Sequence, residues 1–165
     1  MNGKSVGVAA LAGLGLILGA GAASAAIDTE NLQVQVTIVS ECKVQSAPLL
    51  DFGSQGVLDS AQNGSTTIGI QCTNTTPYTV RLDAGSGAGA TVADRLMTLG
   101  AATVSYSLFR DAAHMLVWGE TDGTNTVAGT GNGAVQTLDV YGQIPAQTTP
   151  APGLYTDTVT VTVSY

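Results

Sequence analysis

The one histidine, His114, is the first residue to test for chemistry. An imidazole beside a hydroxyl could serve as general base for a nucleophilic serine, and Ser105 and Ser107 are near enough in sequence to be candidates. In "RDAAHMLVWG", however, it reads as a surface histidine at the edge of a hairpin. Asp83 and Asp94 could form a carboxylate pair or contribute to a calcium site. They flank the Gly-rich "AGSGAGA" without the acidic spacing of a calcium loop, and aspartates in such places ordinarily cap turns. Neither a lysine nor a helical pattern follows that loop, as a phosphate-binding loop would require. Trp118, with Met115 and Val117 beside it, could be a sugar-stacking platform, but reads first as partly buried sandwich core. These residues form no catalytic, cofactor-binding or metal-ligating constellation, and the chain is not expected to be an enzyme.

Cys42 and Cys72 are the only two cysteines. No CxxC is present and His114 has no clustered partner, so a redox or metal pair is disfavoured. In an exported chain an even pair forms a structural disulfide. Export is expected from the first residues. Lys4 precedes an uncharged run from Val6 to Ala26, and Ala23-Ser24-Ala25 fits a cleavage site, so residues 1–25 read as a secretory signal peptide rather than a membrane anchor. Cleavage would take 25 of the 165 residues and leave 140, enough for one domain. Without Lys4 the net charge moves from −7 to −8, which argues against nucleic acid or an anionic membrane as partner.

Positioning any of these residues falls to β-strands. "STTIGIQC" puts Ile68, Ile70 and Cys72 on one face, and "PYTVRLDAG" puts Tyr78, Val80 and Leu82 inward with Thr79, Arg81 and Asp83 outward. "TVSYSLFRD" gives Val104, Tyr106 and Leu108, and "QTLDVYGQIP" gives Leu138, Val140 and Ile144. Each run has period two and is bounded by Gly, Asn or Pro. No segment sustains a helical period; at most a helical turn fits "ADRLM". Short strands separated by "DAGSGAGATV", "TDGTNTVAGTGNGA" and "PAQTTPAPG" predict an antiparallel sandwich, Ig-like in character.

Two further runs raise a question of pairing. "NLQVQVTIV", residues 31–39, places Leu32, Val34, Val36 and Ile38 on one face. "YTDTVTVTVSY", residues 155–165, places Tyr155, Val159, Val161, Val163 and Tyr165 on one face and carries the strongest strand signal. Nothing follows Tyr165 to supply a next strand. The run shows no inward charge and no proline to blunt its edge, so it is expected to need a covering strand.

The strings "YTVRLDAGSGA", "RLMTLGAATVSYSLFRDAAHMLVWGE", "QTLDVYGQIPA" and "PAPGLYTDTVTVTVSY" resemble the spore coat protein U domain family, which is similar to the subunits of archaic chaperone–usher pili. The resemblance runs from about Leu32 to Tyr165, and Cys42 and Cys72 fall where that family's bridge falls. It implies an all-β fold: an incomplete Ig-like antiparallel sandwich lacking its last strand, with an N-terminal donor-strand extension. Residues 1–25 would be the signal peptide, 26–40 the extension and 41–165 the domain. The implied function is that of a structural subunit of a surface fibre, pilus or coat, assembled by donor-strand exchange and serving adhesion or biofilm formation. A periplasmic chaperone would first cover the strand carrying Val159, Val161, Val163 and Tyr165 and grip the Tyr165 carboxylate. At the outer-membrane usher, Leu32, Val34, Val36 and Ile38 of the next subunit would replace it. Only 16 residues, Ala26 through Glu41, precede Cys42 in the expected mature chain, so Val36 or Ile38 could instead belong to the subunit's own first strand. The alternative is a self-complemented monomeric sandwich acting as an adhesin or carbohydrate-binding module.

Overall fold

A computed structural model describes residues 24–165. The signal peptide expectation lies outside the described residues except for Ser24 and Ala25. Among the described residues eight strands follow one another: β1 (Cys42–Ser46), β2 (Gln62–Cys72), β3 (Pro77–Leu82), β4 (Arg95–Leu99), β5 (Ala102–Phe109), β6 (Val127–Thr130), β7 (Val135–Ile144) and β8 (Val161–Ser164). They form a five-stranded sheet, β1-β2-β7-β5-β4, and a three-stranded sheet, β6-β3-β8. Every pairing is antiparallel.

The period-two runs explain the core. Ile68, Ile70 and Cys72 of β2, Tyr78, Val80 and Leu82 of β3, Val104, Tyr106 and Leu108 of β5, and Val140 and Ile144 of β7 are all buried together. Trp118 is fully buried and its indole N–H donates to the Val80 carbonyl (3.0 Å). It is therefore core and not a sugar platform. Cys42 and Cys72 are bonded and stand opposite each other in the β1–β2 ladder. The bridge fixes the start of the first strand.

Three readings are corrected. "ADRLM" forms no helical turn: Arg95–Leu99 is β4, paired with β5. The strand was hidden because its buried position is taken by a charge, Arg95, which breaks the apolar alternation. Residues 31–39 lie outside the strands, and the expectation for them concerns pairing with another subunit. The last run is a strand only over Val161–Ser164. Thr156 bridges to Thr98 of β4 in one sheet, whereas β8 pairs with β3 in the other, so the residues between cross over. Finally, Asp157 lies on the inward face of that run, so an inward charge is present after all.

A pair of glycines shapes the inner face. Gly64 of β2 and Gly142 of β7 oppose each other in the ladder. A Cβ on Gly142 would come within 2.8 Å of Phe52 and 2.9 Å of Leu50. The paired absence of side chains forms a dimple, and Leu50 and Phe52 sit in it. The segment between β1 and β2 is thereby held across the sheet, with the Thr66 hydroxyl donating to the Pro48 carbonyl (3.2 Å) and Leu58 buried.

Candidate functional site

An open apolar cleft of about 970 Å³ runs along this inner face. Its floor is Ile68, Val104, Leu108, Val140 and Ile144; one wall is the segment with Leu50 and Phe52, the other the final run with Tyr155, Val159 and Val161. Such a surface in water is unfavourable by roughly 25 cal/mol for each Å² of apolar area left uncovered.

The second wall also offers backbone. In the β3–β8 ladder Arg81 faces Thr162 and Leu82 faces Val161. One step on, the Asp83 N–H donates to the Thr160 carbonyl (3.2 Å), so the even-numbered residues turn their polar groups toward β3. By alternation, the N–H and C=O groups of Val159, Val161 and Val163 turn to the free edge. Among the described residues, β8 has β3 as its sole neighbour in the sheet order. A free edge beside an apolar face is a template for strand addition. Val159, Val161 and Val163 are half-buried against the core, and Tyr165 is 60 % exposed.

One end of the cleft is polar. Buried Tyr106 donates its hydroxyl to Asp157 Oδ2 (2.8 Å), and Ser86 donates to Oδ1 through both its N–H (2.8 Å) and its hydroxyl (2.7 Å). Burial pushes the Asp157 carboxyl up, but the hydrogen bonds from Ser86, Tyr106 and Thr158 outweigh it and hold it below the usual carboxylate range. Asp83 behaves alike: burial raises it, and bonds from Thr160 and Gly85 bring it below its ordinary value. Burial and then donation to Asp157 raise the Tyr106 phenol.

Behind this end stands Arg95, fully buried. Its guanidinium donates to the carbonyls of Asp83 (2.8 Å), Val92 (2.7 Å), Leu82 (3.2 Å) and Trp118 (2.8 Å). It ties β4 of one sheet to β3 of the other, and β3 is what carries β8. On the outer side Arg81 pairs with Asp122 (Nε to Oδ1, 2.9 Å) and donates to the Ser164 hydroxyl, fixing β8 from behind. Burial lowers the Arg95 pKa from its ordinary value.

The other candidates are placed apart. Ser107 donates to the Ala93 carbonyl (2.6 Å) and Ser105 to Asp94. His114 is not a plain surface residue; its ring is half-buried, 5.3 Å from that of Phe109 and 6.3 Å from that of Tyr141, on a backbone with φ of 55°. Asp83 caps the turn at the Gly85 N–H (2.9 Å) and accepts from the Thr160 N–H (2.8 Å). Leu32, Val34, Val36 and Ile38 are each at least 75 % exposed. The sequence reading missed Arg95 and Asp157. Asp157 was legible by parity alone, since it shares the odd-numbered face with Val159 and Val161.

The fold and the cleft define the class first: an Ig-like antiparallel β-sandwich with an open apolar cleft on its inner face. A family model for the spore coat protein U domain matches residues 28–162, and the chain belongs to that family. It is 30 % identical over 180 aligned residues to Protein U of Myxococcus xanthus, covering 100 % of both chains. In fold it is similar to a chain of the crystal structure of the CsuC–CsuE chaperone–tip adhesion subunit pre-assembly complex, from the archaic chaperone–usher Csu pili of Acinetobacter baumannii. That match has a TM-score of 0.57 and 24 % identity, and covers 78 % of this chain but only 40 % of the other.

Proposed function

We propose that this protein is a subunit of a surface fibre, pilus or coat, assembled by donor-strand exchange and serving adhesion or biofilm formation. The observation that carries the reading is the open apolar cleft beside a free β8 edge, in a chain whose own apolar stripe is uncovered. The stripe of one copy, Leu32, Val34, Val36 and Ile38, fills the cleft of the next against Val159, Val161, Val163 and Tyr165. Covering four such side chains contributes roughly 6–12 kcal/mol gross. The new strand also satisfies the free backbone groups of the edge. Before assembly a periplasmic chaperone covers the same edge, and an outer-membrane usher brings subunits together. Export precedes both, through a leader cleaved near Ala25. The spore coat protein U membership and the pilus-subunit likeness support this assignment.

The test is Val34→Arg co-expressed with wild type. A donor variant still accepts a strand but cannot give one, so polymers shorten in proportion to the mutant fraction, and the variant persists bound to its chaperone. Unchanged polymer length with no variant–chaperone complex would refute exchange through this segment. A single SDS-resistant monomer band from wild type would instead favour the self-complemented sandwich.

A further inference from the structure

The even-numbered side of the N-terminal segment has a polar pattern as well as an apolar one. It reads Asp28, Glu30, then Leu32, Val34, Val36 and Ile38, then Ser40. The inward face of the final run reads Asp157, then Val159, Val161, Val163 and Tyr165. Four apolar positions stand in each, and each is bounded on one side by a carboxylate. Asp157 is held in place, since Ser86 and the buried Tyr106 fix both its oxygens in the cleft wall.

Resting on the donor-strand reading above, we infer that Asp157 sets the direction and register of the incoming strand from a second copy. A parallel strand would bring Glu30 and Asp28 to the Asp157 end, where like carboxylates repel in a half-buried setting. An antiparallel strand carries them away. Its apolar quartet then matches in one register: Leu32 with Tyr165, Val34 with Val163, Val36 with Val161 and Ile38 with Val159. Ser40 falls beside Asp157, where its hydroxyl can donate. A slip of one pair in one direction lays Ile38 on the carboxylate, an apolar side chain against a charge that would lose access to water. A slip in the other direction lays Ser40 on Val159 and draws in Cys42, which is bonded to Cys72 in the donor's own body. The polar end of the cleft is thus an end-stop for the donor strand.

Cysteine pairs in the full-length chain test this. Val36→Cys with Val161→Cys should give an interchain ladder on non-reducing gels that collapses with reductant. Val36→Cys with Val159→Cys, one pair out, should not. Adding Asp157→Leu to the second pair removes the end-stop, and the ladder should then appear there too; Asp157→Asn, which keeps size and can still accept from Tyr106, should allow less slippage. Mass spectrometry confirms the Cys42–Cys72 bridge in each variant. A ladder from the offset pair in the wild-type background would overturn the register while leaving strand exchange standing. No interchain link from either pair, or an intrachain link in a monomer, would overturn both.

Discussion

Replacing Arg95 by methionine should destabilise the domain by about 3 kcal/mol. The side chain is fully buried and donates to four backbone carbonyls. The bonds to Leu82 and Trp118 lie in the buried interior, while those to Asp83 and Val92 lie in part-buried surroundings where water can replace the guanidinium. Each buried acceptor left without its partner costs about 1–3 kcal/mol, so two give about 2–6. Relief from burying a cation offsets part of this, and methionine fills much of the volume. A loss of about 3 kcal/mol raises the unfolded fraction about 150-fold. Arg95→Lys keeps the charge but cannot span four carbonyls, and should recover less than half of the loss. The assay is guanidinium unfolding of the full chain, disulfide intact, with variant and wild type in the same assembly state. A loss below about 1 kcal/mol for methionine, or a lysine variant equal to wild type, would refute the view that Arg95 clasps the two sheets.

Two further predictions bear on the cleft. Val161→Asp should abolish polymer formation while export continues, because a carboxylate midway along the covered face would be buried unpaired, at a cost of several kcal/mol; normal polymer yield from that variant would show that the incoming strand does not cover this face. Tyr106→Phe should lower stability by about 1 kcal/mol at neutral pH, since it removes a hydrogen bond to the ionised Asp157. Asp157 sits below its ordinary value of 3.8, so its contribution is full above that pH and fades as pH falls through the lower native pKa; the deficit of Tyr106→Phe should therefore shrink in acid, and unfolding curves at neutral and acid pH with equal deficits would count against the assignment.

How much of this was legible in the sequence depends on how far each signal reaches. Ile68 and Ile70, Val80 and Leu82, Val104 and Leu108 announced their strands because alternation is a local code, and the structure buries all six. β4 was not announced, since its inward residue Arg95 is satisfied by carbonyls of Leu82 and Trp118, distant in sequence. The end of the chain was over-read for a related reason. Its alternation continues through Asp157 and Val159, but the backbone there changes sheets between Thr98 and β3, which no local pattern records. The same holds for the dimple at Gly64 and Gly142, two isolated glycines that acquire meaning only because the ladder sets them opposite each other. The apolar stripe from Leu32 to Ile38 was legible as a stripe, and its reading as a donor came from the family resemblance rather than from the alternation.

A fibre subunit of the proposed kind faces a difficulty that Asp157 helps to resolve. The edge that must accept a strand is, by the same physics, open to any extended apolar segment. Edges are commonly guarded by inward charges, and a charge in the middle of β8 would guard the edge by disabling it. Asp157 instead stands at the end of the apolar quartet, beyond Val159 and already satisfied by Ser86 and Tyr106. A segment with four inward apolar residues followed by a small polar one can lie along Val159, Val161, Val163 and Tyr165 without shutting the carboxylate off from water. A longer uninterrupted apolar strand cannot. In the proposed assembly the residues from Leu32 to Ser40 meet that condition, and a single side chain at the crossing point would leave the edge receptive to its own kind and less receptive to others.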